Sequence, residues 1–195
     1  MEHDHRRRAA VAGYEGDEAA ARALLSDADP GARATAMGAL ARMGRLGAAD
    51  VEQGLGDADA RVRRRACEEA IPFADVDLAG ALGDADVSVV EAAAWALGER
   101  GAKATDAVDA LTALAQGHDD PLCREAAVAA LGAIGDDRGL PTVLAAAHND
   151  RPAVRRRAVV ALAAFEGPDV EAALRAALND RDWQVRQAAE DLLAE

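Results

Sequence analysis

Asp57-Ala58-Asp59-Ala60-Arg61-Val62-Arg63-Arg64-Arg65-Ala66 is the stretch whose reading decides the fold. Reduced to Asp-x-Asp-x-x-Val-Arg-x-x-Ala, it recurs from Asp27, Asp57, Asp84, His118, Asn149 and Asp180, at spacings of 30, 27, 34, 31 and 31 residues. The sixth column of these copies reads Ala32, Val62, Val89, Cys123, Val154 and Val185. The seventh reads Arg33, Arg63, Val90, Arg124, Arg155 and Arg186. Three residues later stands an alanine in every copy, Ala36, Ala66, Ala93, Ala127, Ala158 and Ala189. Leu40, Leu97, Leu131, Leu162 and Leu193 follow, with Ala70 in the second copy. A period of about 30 residues marks a supersecondary unit that buries its apolar face only by stacking on its neighbours.

Each unit reads as two helices. The first is short and amphipathic, as over 169–178, where Val170, Leu174 and Leu178 make an i, i+4, i+8 stripe. The second acidic residue of the turn, Asp29, Asp59, Asp86, Asp120 or Asp182, suits the N-cap of the next helix. Pro30, Pro121 and Pro152 fall at its first helical position, where a missing N–H costs nothing. The second helix is expected to run roughly 12–14 residues, about the average for globular proteins, and often ends at a glycine, as at Gly44, Gly101 and Gly135. No alternating strand pattern occurs, so the chain is expected to be all-α. Residues 1–16 form an N-terminal segment, read as partly disordered or as a capping helix. Residues 17–195 form a single repeat domain, with repeats at about 17–44, 48–74, 75–101, 104–135, 137–167 and 168–195.

The pattern resembles HEAT-like repeats of the phycobilisome-lyase type, within the armadillo-like α-α superhelix class, over nearly the whole chain. The resemblance implies a ladder between neighbouring repeats, made by the turn aspartate and the arginine six residues on. In this sequence the pairs would be Asp27/Arg33, Asp57/Arg63, His118/Arg124, Asn149/Arg155 and Asp180/Arg186, while Asp84 would face Val90 and no arginine. The fourth and fifth rungs would then lack a carboxylate. Such forks tie repeats together and fix the twist of the stack.

Composition agrees with close helix packing. Alanine supplies 53 of 195 residues and aromatics 3%, so the core must be built from small side chains. Asp and Glu total 35 against 22 Lys and Arg, of which only Lys103 is lysine, for a formal net charge of −13. An acid-rich, lysine-poor surface stays hydrated at high ionic strength, the pattern of cytoplasmic proteins of salt-in halophiles, here a halophilic archaeon. The basic start Arg6-Arg7-Arg8 is followed by too short and polar a run for a signal peptide, and no apolar run spans a membrane. Cys67 and Cys123 fall in core columns and are expected to be buried, inert thiols in a reduced, intracellular protein.

In such a stack the second helices line the concave side. Their exposed columns are the fifth, eighth, ninth, twelfth and sixteenth, an i, i+3, i+4, i+7, i+11 face. Those columns carry Arg61, Arg64, Arg65 and Glu68 in the second unit, then Ser88, Glu91, Ala92, Trp95 and Glu99 in the third. The fourth carries Leu122, Glu125, Ala126, Ala129 and Ala133, and the fifth Ala153, Arg156, Arg157, Val160 and Ala164. Aromatics and arginines are the usual anchors of interfaces, so the expected partner-binding groove centres on Trp95 with arginine clusters on both sides. Two readings of Trp95 stand beside each other, an exposed anchor or a filler against a neighbouring helix. The paired arginines equally fit a surface neutralised by nearby acids. Trp183, at a first helical turn, reads as a terminal packing residue.

No catalytic set, cofactor site or metal site emerges. His3 and His5 lie in an N-terminus expected to fray, and two ligands alone hold a metal weakly. His118 and His148 sit at inter-helix turns. The HEAT-repeat deoxyhypusine hydroxylases carry His-Glu pairs for iron, and this chain has no His-Glu dipeptide. The Asp-x-Asp pairs recur with the repeat, which favours capping over a cation loop. The expected function is a non-enzymatic scaffold or adaptor that binds a protein or peptide in the groove. The alternatives are a bilin-lyase-like enzyme or subunit, and nucleic-acid binding like that of the HEAT-like DNA glycosylases. The net charge and the high salt both oppose phosphate attraction. No membrane partner is expected, and self-association stays open.

Overall fold

The computed structural model describes residues 2–194, and side chains from His5 onward. Among the described residues the protein is helical, with no strand. Helix starts follow the capping aspartates. The carboxylates of Asp29, Asp59, Asp86, Asp120 and Asp182 accept the N–H two residues on, at 2.8–3.0 Å. Each satisfies one of the donors a helix leaves unpaired. The chain divides into two compact units, Met1–Ala93 and Ala94–Glu195.

The first unit holds α1 (Glu2–Glu15), α2 (Glu18–Leu24), α3 (Pro30–Arg42), α4 (Ala48–Leu55), α5 (Ala60–Glu69), a 3-10 turn at Ala79–Gly83, and the start of α6 (Val87–Arg100). Helix α3 packs on both α1 and α5, and buries Ala36, Met37, Ala39 and Leu40. The third repeat has only the 3-10 turn where its neighbours have a first α-helix. His5 stands within helix α1, whose Ala9 and Ala12 are buried against Leu24, Ala36, Ala39 and Leu40. Helix α1 also has the register of a second helix. His5, Gly13 and Gly16 are spaced 8 and 3 residues apart, as are Arg124, Gly132 and Gly135. Gly16 and Gly135 both end their helices with positive φ, 72° and 68°, a conformation glycine adopts without strain.

The second unit holds the end of α6, a 3-10 segment Gly101–Ala107, α7 (Val108–Gly117), α8 (Pro121–Ile134), α9 (Leu140–His148), α10 (Pro152–Ala161), α11 (Pro168–Ala177) and α12 (Trp183–Leu193). Its largest fully buried side chains include Leu111, Val128, Leu131 and Leu162, each worth about 1.5–3 kcal/mol when withdrawn from water. Second helices approach closely because glycine faces alanine. A Cβ on Gly132 of α8 would lie 2.6 Å from the Cβ of Ala161 on α10, and one on Gly98 of α6 would lie 3.1 Å from the Cα of Ala130 on α8. The alanine excess is thus spent where these helices touch.

Candidate functional site

Four arginines of the seventh column make the same three bonds. Arg33 donates from Nε and Nη2 to the two Asp57 oxygens at 2.8 and 2.7 Å, and from Nη1 to the Asp27 carbonyl oxygen at 2.8 Å. Arg63 joins Asp84 at 2.7 and 2.8 Å and the Asp57 carbonyl at 2.9 Å. Arg124 joins Asp150 at 2.8 and 2.6 Å and the His118 carbonyl at 2.7 Å. Arg155 joins Asp180 at 2.8 and 2.7 Å and the Asp150 carbonyl at 2.7 Å. Such planar two-point pairs are the strong form of charge-assisted bonding. Arg186 keeps the bond to its own turn, the Asp180 carbonyl at 2.7 Å, and meets no acid among the described residues.

The ladder therefore runs one repeat out of phase with the expected pairs. An arginine holds its own repeat's turn through the backbone, and the carboxylate comes from the next repeat. Asp27, Asp57, Asp84 and Asp180 each also accept the N–H two residues on, at 2.7–2.8 Å, which fixes the carboxylate for the incoming fork. The rung expected to lack a carboxylate at Asn149 has one, because Asp150 takes the acid role one residue later. In the third repeat Val90 cannot donate. His118, in the following acid column, accepts the N–H of Asp120 on Nδ1 at 3.0 Å, imitating the aspartate turn. The bonds from Arg63, Arg124 and Arg155 outweigh burial and hold Asp84, Asp150 and Asp180 below the usual carboxylate range. At Asp57 burial is the largest single influence and pushes the carboxyl up, yet the bonds from Arg33 and the Asp59 N–H together carry it down.

His5 of α1 occupies the arginine position of this ladder. Its Nδ1 lies 3.0 and 2.9 Å from the two Asp27 oxygens, and that bond lowers the Asp27 pKa. Nothing in the six sequence copies pointed to it. The spacing to Gly13 and Gly16 was the available signal.

The second-helix face differs between the two units. On α5, Arg61 pairs with its own N-cap, Asp59, at 2.9 Å and pulls that carboxyl down to about 2. Arg64 meets Glu68 at 3.0 Å, and Arg65 meets Glu68 and Glu69 at 3.2 and 3.3 Å. On α10, Val160 and Ala161 stand where α5 has those two acids. Arg156 and Arg157 instead reach one oxygen, Glu125 Oε1 of α8, at 3.7 and 3.4 Å.

Beside them α8 and α10 enclose an open recess of about 350 Å³. Alanines make most of its wall, with Ala129 and Ala133 on one side, Val160 and Ala164 on the other, and Arg157 at its edge. Val160 is 43% exposed and Trp95, on the part of α6 in this unit, is 47% exposed. Glu91 and Glu99 are exposed, while Glu125 and Ala129 are half-buried. Trp183 is 64% exposed, which overturns its reading as a packing residue: its first-turn position leaves it outside the buried stripe of α12, Val185 and Ala189.

Cys67 and Cys123 are buried thiols outside any disulfide, and burial pushes the Cys67 thiol up to about 12. His3 lies outside the described side chains. His148 is exposed in the last turn of α9. Among the described residues no three His, Cys, Asp or Glu side chains gather as metal ligands would, and no helix is long and apolar enough to cross a membrane.

A family model described as HEAT repeats matches residues 48–131, 74–152 and 108–194. No curated protein is significantly similar in sequence. Solved structures are similar in fold. A designed armadillo repeat protein in complex with the peptide (KR)4 is 17% identical over 98% of this chain and 97% of its own, with a TM-score of 0.62. The complex of CpcE and CpcF of phycocyanin lyase from Nostoc sp. PCC7120 is 24% identical over 90% of this chain and 75% of its own, also at 0.62. Human deoxyhypusine hydroxylase is 22% identical over 100% of this chain and 79% of its own, at 0.52.

Proposed function

Because the chain belongs to the HEAT-repeat family, we propose that it is a non-enzymatic scaffold or adaptor, which binds a protein or peptide on the face built by its second helices. The observation that carries this reading is the twelfth column of the second unit. There an exposed Trp95, a half-buried Ala129 and an exposed Val160 stand on α6, α8 and α10, with the open recess between the last two. Large exposed apolar side chains grouped on one face are the usual mark of an interaction site. Armadillo and lyase folds of known structure supply precedent for protein partners, at identities that speak to fold alone.

The acid-rich, lysine-poor surface supports a cytoplasmic setting in a salt-in halophile, and the repeat signature supports the phycobilisome-lyase subtype of the family. In the test, a partner captured at multimolar salt is titrated against wild type and Trp95→Ala. Affinity should fall by roughly 30-fold, the scale of an interface anchor, with helicity and melting temperature nearly unchanged. A large loss of thermal stability, or an unchanged affinity, would overturn the placement.

A further inference from the structure

The recess between α8 and α10 has a charge as well as a shape, and its reading as a peptide site rests on the scaffold proposal. Arg156 and Arg157 share one carboxylate oxygen at 3.7 and 3.4 Å. Charge-assisted N–H···O bonds run at about 2.7–2.9 Å, so both forks keep unspent donors. Arg157 Nε, itself shielded from water, makes no hydrogen bond. Two positive charges thus stand over one negative charge, in a chain whose net charge is −13. The arginines of α5 provide the contrast, since Glu68 and Glu69 neutralise Arg64 and Arg65 on their own helix.

We infer that the partner segment is an acidic peptide, one that places an Asp or Glu carboxylate on Arg156 and Arg157 and a small apolar neighbour in the alanine-lined recess. A carboxylate offers the two-point acceptor that a guanidinium fork matches. The walls of Ala129, Ala133, Val160 and Ala164 offer an apolar side chain a surface with no polar group to satisfy. A nucleic acid fits less well. Two cations do not track a phosphate backbone.

Random peptides displayed on phage are selected against the full chain, and the recovered peptides are titrated by fluorescence anisotropy. The variants are Val160→Glu, which gives Arg156 the acid α5 already has, Arg156→Gln with Arg157→Gln, and Arg64→Gln with Arg65→Gln. The selected peptides should be rich in Asp and Glu. Their affinity should fall by about tenfold or more in the first two variants, the scale of one lost charged bond, and stay level in the third. Circular dichroism should show all three folded, since none of the substituted side chains belongs to the buried core. Basic or neutral peptides that lose affinity in Val160→Glu or Trp95→Ala would overturn the acidic partner and leave the scaffold standing. Acidic peptides indifferent to both α10 variants, or no enrichment, would overturn both. Displacement of the peptide by a single-stranded oligonucleotide at lower concentration would overturn it in favour of nucleic acid.

Discussion

Residues 63–65 on α5 and 155–157 on α10 are both Arg-Arg-Arg, one run in each compact unit. Their first members do the same work: Arg63 and Arg155 each fork onto the aspartate of the following repeat. Their second and third members part company because of what stands four residues on. Glu68 and Glu69 silence the α5 pair within one turn of helix, whereas Val160 and Ala161 leave the α10 pair to share Glu125. A basic cluster read from sequence is therefore not yet a basic surface. The residues at i+3 and i+4 decide how much of its charge is available to a partner.

The largest expected effect sits on the members that agree. Arg155 is 2% exposed, and removing it strands the Asp180 carboxylate and the Asp150 carbonyl. Arg155→Ala should cost about 3 kcal/mol by denaturant melting, and Arg63→Ala somewhat less because its side chain is more exposed. Equal and small losses would mean that the ladder does not hold the repeats together. Acid comes next. The ladder aspartates titrate below their ordinary value of about 3.9, so their contribution is complete above that pH and is lost as pH falls through the depressed folded values. Melting temperature should be level from about pH 5 to 7 and drop below about pH 4. In Arg155→Ala the drop should be shallower, since Asp180 no longer has its partner. The smallest effect belongs to the members that differ. Arg64→Gln removes an exposed i, i+4 pair and should move stability by less than about 0.5 kcal/mol; a larger loss would show that the α5 cluster is structural after all.

What the sequence disclosed was governed by range. The capping aspartates were legible because cap and helix are two residues apart, and all five fall where their columns put them. The ladder's phase was not, because an Asp and an Arg six residues apart look like partners, while the true partner lies 21–26 residues away. Asp150 escaped notice because the repeat column falls on Asn149 and a carboxylate one position over reaches the same fork. The kinship of α1 with the second helices was hidden by Arg8, which breaks the alanine column that identifies every other one. The exposed columns of the fourth and fifth repeats were read from helical periodicity alone, and four of their residues, Ala129, Ala133, Val160 and Ala164, line the recess. Its charge was not, since the sharing of Glu125 depends on how two helices meet.

The offset of the ladder also gives a repeat that carries both residues a front and a back. An aspartate half-coupling opens the unit and an arginine half-coupling closes it, and neither is consumed within its own repeat. Lifting out residues 150–179 would deliver Arg124 to Asp180 in place of Asp150, with a capped turn already behind it. The joint is a standard fitting, so a chain of this kind can lengthen or shorten by whole cassettes without inventing a new connection.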